Sequence, residues 1–335
     1  MINRTCIKGT YNINRLVIYQ IEKSGGFCYC GHMKQPFRLN DLLLIAVVLF
    51  SMTVSIIYPS FGLLFDALPL YCLMALFFLS YLSIELKDVW RELKAHPLEI
   101  LSFIILKSIV IPVVLFIIFS HLAPTYALSA LLLTGVSTGV VATFISNLVK
   151  GNSSLVLVVV VITSALVPVT LPSLIQITAA TPVELSLSRM IKMLALVIFI
   201  PILSVEVLRR LAPRPLIYLM NRQFPLSVIL MAFINLGIFH RYALFFKKEP
   251  HTIVMACLIA TALSAVYCTI GILFFRKSSL ENQIAGAVMF GNMNNVLVIV
   301  FSSRFFGPVE PLVAAMYTIP FYGLVVPLRY YYQRK

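Results

Sequence analysis

Lys107 is the residue whose chemistry most needs explaining. It stands in the run I-L-K-S-I-V-I-P, residues 105–112, inside a stretch otherwise apolar enough to lie in a bilayer. Counted from a helix start near Leu98, the amine lies roughly 13 Å along the axis at 1.5 Å per residue. A charged lysine near the bilayer centre costs about 2.5–3.5 kcal/mol on insertion scales, so it must face a partner or a cavity. Around it in sequence character, if not in position, are two sets of small neutral polar residues: Ser137, Thr138 and Thr143 in one apolar stretch, and Asn292, Asn294 and Asn295 in another. Hydroxyls, amides and one amine can hold an ion or a small anion. They include none of the carboxylates or imidazoles on which a metal-dependent or acid–base enzyme in the membrane relies. The three aspartates, nine glutamates and five histidines all fall at the ends of apolar stretches or between them, so no convergent carboxylates or imidazoles exist at a usable depth. A phosphate-cradling glycine loop is also absent from the sequence. The expectation is a protein that is not an enzyme and carries no cofactor and no resident metal.

The polar sets sit in two matching interruptions. Gly135 to Pro172 begins G-V-S-T-G-V-V-A-T and runs into a valine-rich segment with Pro168 and Pro172; Gly286 to Pro327 contains G-N-M-N-N and runs into a segment with Pro320 and Pro327. A helix break at membrane depth is tolerated only where protein groups or a water-filled cavity satisfy the freed backbone, and such breaks mark binding sites in transporters. Gly139 to Pro168 and Gly291 to Pro320 are each 29 residues apart, so a shift of 152 superimposes both pairs and sets Thr143 on Asn295. Pro97 and Pro250 fit a shift of 153. Weak symmetry of this kind is what duplicated transporter halves leave behind.

Composition fixes the class. Hydrophobic residues are 60% of the 335 positions and charged residues 11%, against about 25% charged in an average soluble domain. The hydropathy predicts ten spans, near 42–61, 67–86, 98–120, 124–148, 153–177, 188–208, 223–240, 252–275, 283–303 and 309–328, each close to the ~20 residues a bilayer core requires. With the N-terminus in the cytoplasm, nineteen of the twenty-six lysines and arginines fall in cytoplasmic segments and five outside, Lys107 and Lys192 lying within spans. The net charge of +14 is therefore the positive-inside bias of a membrane protein and not a nucleic-acid surface. Five spans plus five give halves of opposite orientation, as an inverted repeat requires.

Outside the spans, Cys28, Cys30 and His32 could take a soft metal but lack the fourth ligand of a structural zinc site. Met33 reads as an ordinary start, so residues 1–33 are a leader that need not belong to the mature protein. The six cysteines are scattered and imply no disulfide framework. Lys87 to His96, with the single tryptophan Trp90, reads as a short helix at the cytoplasmic interface. Asn235 lines a route or bonds a neighbouring helix, and Thr261, Ser264 and Thr269 serve close helix packing.

The stretch Ala142 to Pro172, with its K-G-N turn and downstream prolines, resembles the segment of the bile acid:sodium symporter family in which a broken helix ends in a K-G-D/N turn. G-N-M-N-N resembles that family's G-M-Q-N segment, and I-L-K-S-I-V-I-P its Q-F-x-x-M-P. The resemblance covers most of the chain from Met33 onward. It implies a panel and a core, with broken spans 4 and 9 crossing in the core and substrate bound beside the crossing. The positions that would bind sodium depart from the pattern. The Ser-Asn pair reads Ala142 and Thr143, the hydroxyls of the next span read Val156 and Val160, the glutamate reads Phe290, the following glutamine Asn294, and the glutamine of span 3 reads Lys107. Hard cations need oxygen ligands, so sodium coupling is expected to be lost. The Lys107 ammonium is expected in the vacated place, directed at backbone carbonyls of the span 9 break and at Asn292 or Asn294.

The expected protein is thus all-α and polytopic, with ten transmembrane helices in two inverted five-helix repeats, residues 34–180 and 181–335. Spans 1, 2, 6 and 7 form the panel, and spans 3–5 and 8–10 the core. It is expected in the plasma or inner membrane with both termini cytoplasmic. Its expected function is alternating-access secondary transport of a small organic anion, with Lys107, Ser137, Thr138, Thr143, Asn292, Asn294 and Asn295 as the site. Either the amine loads and releases a proton, making protons the coupling ion, or it stays charged and the protein is a uniporter. A sodium-coupled symporter using backbone ligands, a carrier of the auxin-efflux or arsenite-efflux type and a non-transporting receptor or scaffold are the alternatives. The cysteine expected in span 4 of an arsenite carrier is missing.

Overall fold

The computed structural model describes residues 39–334, apart from 83, 85, 179–185 and 212. The leader with Cys28, Cys30 and His32 lies outside the described residues. Hydropathy this high, a mean of +0.98, forces the backbone to satisfy its own hydrogen bonds. Among the described residues it does so entirely with helices and turns, apart from one isolated antiparallel bridge between Thr138 and Met293. Six helices are long and apolar enough to cross a membrane: Pro97–Leu122, Ser153–Thr178, Leu187–Leu211, Gln223–Lys248, His251–Phe274 and Val309–Arg334. Shorter helices supply the rest of the apolar sequence, including α1 (Leu39–Ile57) and α2 (Pro69–Tyr81).

Both interruptions are real breaks. The first leaves α3 (Ala127–Gly135) and α4 (Val141–Leu148), with Val136 extended between them at φ −72° and ψ 161°. The second leaves α5 (Leu280–Gly291) and α6 (Asn295–Phe305). Asn294 caps α6, its side chain accepting from Leu297 N–H at 3.2 Å, the usual use of an asparagine at a helix start.

Two expected spans have more internal structure than their hydropathy discloses. Within Pro97–Leu122 the backbone widens to a π turn over Leu106–Val110, where Ile111 N–H reaches back to Leu106 O. Pro112 has no N–H and its ring crowds the turn before it, and the wider turn absorbs that ring; such bulges recur at functional sites. The last run, expected as one span over 309–328, is divided into Val309–Met316, Thr318–Gly323 and Val325–Arg334, with turns at Tyr317 and Leu324.

Packing gathers the helices into two sets, which meet where Ser153–Thr178 lies along Leu187–Leu211. α1 lies on Gln223–Phe239, and α2 lies on both Gln223–Phe239 and Leu187–Leu211. The second set joins Ile111–Leu122 to α3, α5 to His251–Phe274, α6 to Val309–Met316, and Ser153–Thr178 to both α4 and α5. Asn235 belongs to the first set and bonds Ser51 of α1 at 3.3 Å, so of its two expected roles the structure shows the helix–helix bond. At one end of the molecule Arg209 donates to the carbonyls of Tyr81 at 3.1 Å, Leu82 at 2.9 Å and Ile84, capping α2. The K-G-N turn reaches the same end. Lys150 adopts a left-handed φ of 61°, and Asn152 donates from its backbone to Glu281 O at 3.1 Å and from its amide to Asn282 at 3.0 Å.

The tightest helix contact is glycine on glycine. A Cβ on Gly271 would meet the Gly286 carbonyl, and one on Gly286 the Gly271 carbonyl, because removal of both side chains lets two backbones touch, as small residues do between membrane helices. Thr261 and Thr269 instead sit on the exposed face and bond their own helix. Gly286→Val is expected to destabilise the chain by about 1–3 kcal/mol or prevent folding, as overpacking does, read as loss of a monodisperse peak in detergent and a lower melting temperature. Gly323→Ala, with nothing within 4 Å of the added Cβ, should melt with the wild type.

Candidate functional site

The two breaks meet. Gly139 N–H donates to Asn292 O at 2.8 Å and Asn294 N–H donates to Ser137 O at 2.9 Å, a short antiparallel pairing centred on the Thr138–Met293 bridge. Glycine suits position 139 because a Cβ there would stand 3.2 Å from Met293 O, a tight approach. Residues 131–139 and 283–293 are all buried, so no bulk water reaches these groups and each freed carbonyl or N–H needs a protein partner.

Side chains supply most of the remaining partners. Thr163 Oγ1 accepts from Thr138 N–H at 3.2 Å, and Thr138 Oγ1 donates to Met289 O at 2.8 Å, stitching the first break to α5. Tyr317 OH donates to Gly291 O and Asn292 Nδ2 to Phe321 O, each at 2.8 Å. Asn295 Nδ2 reaches Thr318 Oγ1 at 2.9 Å and Ala314 O at 3.3 Å. Tyr267 bonds Thr134 in the last turn of α3. Two buried oxygens, Ser137 Oγ and Asn292 Oδ1, have no partner.

Lys107 is fully buried, and its Nζ donates to Val136 O at 2.9 Å. Among the described residues no carboxylate pairs with it; the Phe290 ring lies 6.0 Å from Nζ, at the outer limit of a cation–π contact. This corrects the expected direction. The amine serves the first break and not the second, because the π turn that carries it packs on α3 and the nearest freed carbonyl is the one just past the α3 end. Asn292 and Asn294 are engaged elsewhere, one to Phe321 O and the other as the α6 cap. Of the positions that the resemblance assigns to sodium, Ala142, Val156, Val160 and Phe290 are fully buried and offer no side-chain oxygen, whereas Thr143 and Asn294 each carry one.

Beside the pairing lies a cleft of about 130 Å³, walled on one side by Leu73, Phe77 and Met231 and on the other by Gly139, Asn294, Asn295 and Phe321. It therefore opens between the two packing sets. Ser80, Gln223, Ser227 and Thr318 add neutral polar groups, and no charged side chain is among the lining residues. The N-terminal ends of α4 and α6, at Val140–Val141 and Asn294–Asn295, both face it. Of the expected site residues, Asn294 and Asn295 line the cleft, Ser137, Thr138 and Asn292 form the pairing behind it, and Lys107 supports the pairing from the far side. Thr143 is not brought in: half-buried within α4, it donates to Val140 O at 2.8 Å. Sequence reasoning missed Tyr317, Thr318 and Phe321, whose apolar and aromatic surroundings give no periodic signal; their place 29 and 26 residues beyond Asn292 and Gly291 emerges only when the chain folds back.

An apolar helical bundle with two broken helices paired at a buried crossing, and a cleft beside them, has the construction of a membrane transporter. Residues 67–280 match the Sodium Bile acid symporter family, and the chain belongs to that family. Among curated proteins no single sequence matches it.

Thr163→Val is expected to strand the buried Thr138 N–H and cost about 1–3 kcal/mol, whereas Thr163→Ser keeps the acceptor and should cost less than about half of that; thermal unfolding of the two purified variants in one detergent makes the comparison.

Proposed function

We propose that the protein is a secondary transporter of an organic anion that works by alternating access without sodium, with the Lys107 amine standing where a coupling cation would otherwise hold the first break. The observation that carries this reading is the fully buried Lys107 Nζ on Val136 O; apolar side chains at Ala142, Val156, Val160 and Phe290 support it, since they supply no oxygen to a sodium ion.

An anion in the cleft would meet two helix N-termini. Each is equivalent to roughly half a positive charge, and backbone N–H groups at such ends bind carboxylates well. The apolar remainder, from Leu73, Phe77, Met231 and Phe321, suits an amphipathic substrate. In this reading the first packing set is the panel and the second the core, the halves 34–180 and 181–335 are inverted repeats, and rocking of core against panel exposes the cleft to one side and then the other. The antiparallel pairing of the two breaks supports the inverted arrangement, since two copies of one element related by a two-fold axis in the membrane would meet that way. The basic segments at the end carrying the K-G-N turn and Arg209 support cytoplasmic termini.

Lys107 then has two options. It loads and releases a proton between the two states, making protons the coupling ion, or it remains an ammonium and the substrate moves down its own gradient. Uptake of labelled cholate and of a panel of small carboxylates into proteoliposomes, under imposed sodium or proton gradients, tests this. Accumulation that ignores sodium and follows the proton gradient is expected, with Lys107→Gln abolishing the proton dependence. Uptake that follows neither gradient assigns the uniporter, and sodium-driven accumulation overturns the reading.

A further inference from the structure

The second break is held by a different device from the first. Four contacts from the last run brace it: Tyr317 OH on Gly291 O at 2.8 Å, Phe321 O accepting from the Asn292 amide at 2.8 Å, and Thr318 Oγ1 and Ala314 O accepting from the Asn295 amide at 2.9 Å and 3.3 Å. Gly291 ends α5, Asn292 lies in the break, and Asn295 opens α6, so these contacts straddle the interruption. Of these, only the Tyr317 contact sends a donor from the last run to a freed carbonyl. Tyr317 is fully buried, does not line the cleft, and sits at the turn between Val309–Met316 and Thr318–Gly323. That turn puts its ring under α5 and its neighbour Thr318 into the cleft wall. Adjacent residues of a helix point about 100° apart, so one turn of this run serves both α5 and the cleft.

We infer that Tyr317 is a positioning residue: its hydroxyl fixes the end of α5, and through the break it fixes Asn294 and Asn295 at the cleft, as the Lys107 amine fixes the end of α3. The two breaks are thus held by unlike groups, an amine on one and a phenol on the other. The consequence for transport rests on the cleft being the substrate site; the structural part does not.

Hydrogen exchange on the purified full chain in detergent, with no substrate present, tests the structural part. Tyr317→Phe removes one oxygen, and a lost net hydrogen bond corresponds to about a two- to tenfold rise in exchange through local opening. That rise is expected in peptides covering 289–297 and, through the pairing, 136–141, while peptides within Leu187–Leu211 exchange as in the wild type. An equal rise everywhere, no rise at the breaks, or a chain that no longer folds overturns the inference. In proteoliposomes with cholate as the probe, the same variant should raise KM with Vmax within about twofold of wild type, the pattern of lost binding interactions; a fall in Vmax at unchanged KM overturns the link to the cleft. If wild-type protein does not move cholate, the anion reading fails on that probe, and the exchange pattern still decides the role of Tyr317.

Discussion

Two broken helices can share one dry interior only if the groups freed by each break find partners without water. Here the breaks solve much of that for each other. Gly139 N–H goes to Asn292 O, and Asn294 N–H goes to Ser137 O. The exchange is reciprocal, so neither break is satisfied without its partner in place. This pairing depends on Gly139, where a side chain would press on the opposing carbonyl. It also depends on the Gly271–Gly286 contact, which lets α5 approach its neighbour closely enough to bring the second break into position.

What the pairing leaves over is assigned to side chains of unlike chemistry. Val136 O is met by an amine, Gly291 O by a phenol, and Met289 O by a threonine hydroxyl. Buried polar groups of this kind are costly when left alone and define a single arrangement when matched. Lys107 reaches its carbonyl because Pro112 forces a wider turn in the helix that carries it. A wider turn in one helix is thus the route by which an amine is delivered to another. The unmatched Ser137 Oγ and Asn292 Oδ1 lie in the two paired breaks.

The cleft follows from the division of packing. Residues of α2 and of Gln223–Phe239 face residues of the breaks across it, and the two sides belong to different helix sets. Because no charged side chain lines it, discrimination there rests on neutral hydrogen-bonding groups, apolar surface and the ends of α4 and α6. Among the described residues Lys107 carries the one buried amine, and it does not line the cleft, so it acts on the site through backbone and not by contact.

A membrane protein of helices with two interruptions was legible from residue types alone, because apolar run length and the positions of glycine and small polar residues report directly on bilayer depth. So was the singularity of Lys107, since a charge in such a run is conspicuous whatever it touches. The family relation was legible in the K-G-N turn and its prolines. Which carbonyl receives the Lys107 amine was not: sequence spacing says nothing of the distance between helices, and the packing of the π turn on α3 directs the amine to Val136. Thr143 shares its residue type with Thr138 yet bonds along its own helix, because five residues further on the chain has left the break and entered α4. Tyr317, Thr318 and Phe321 were invisible because tyrosine, threonine and phenylalanine are ordinary in an apolar run, and only the folding back of the last segment onto the second break turns them into its supports. Depth in the membrane is a property of local composition and so is written along the chain; partnership at the crossing is a property of distance between segments, and the tertiary structure alone decides it.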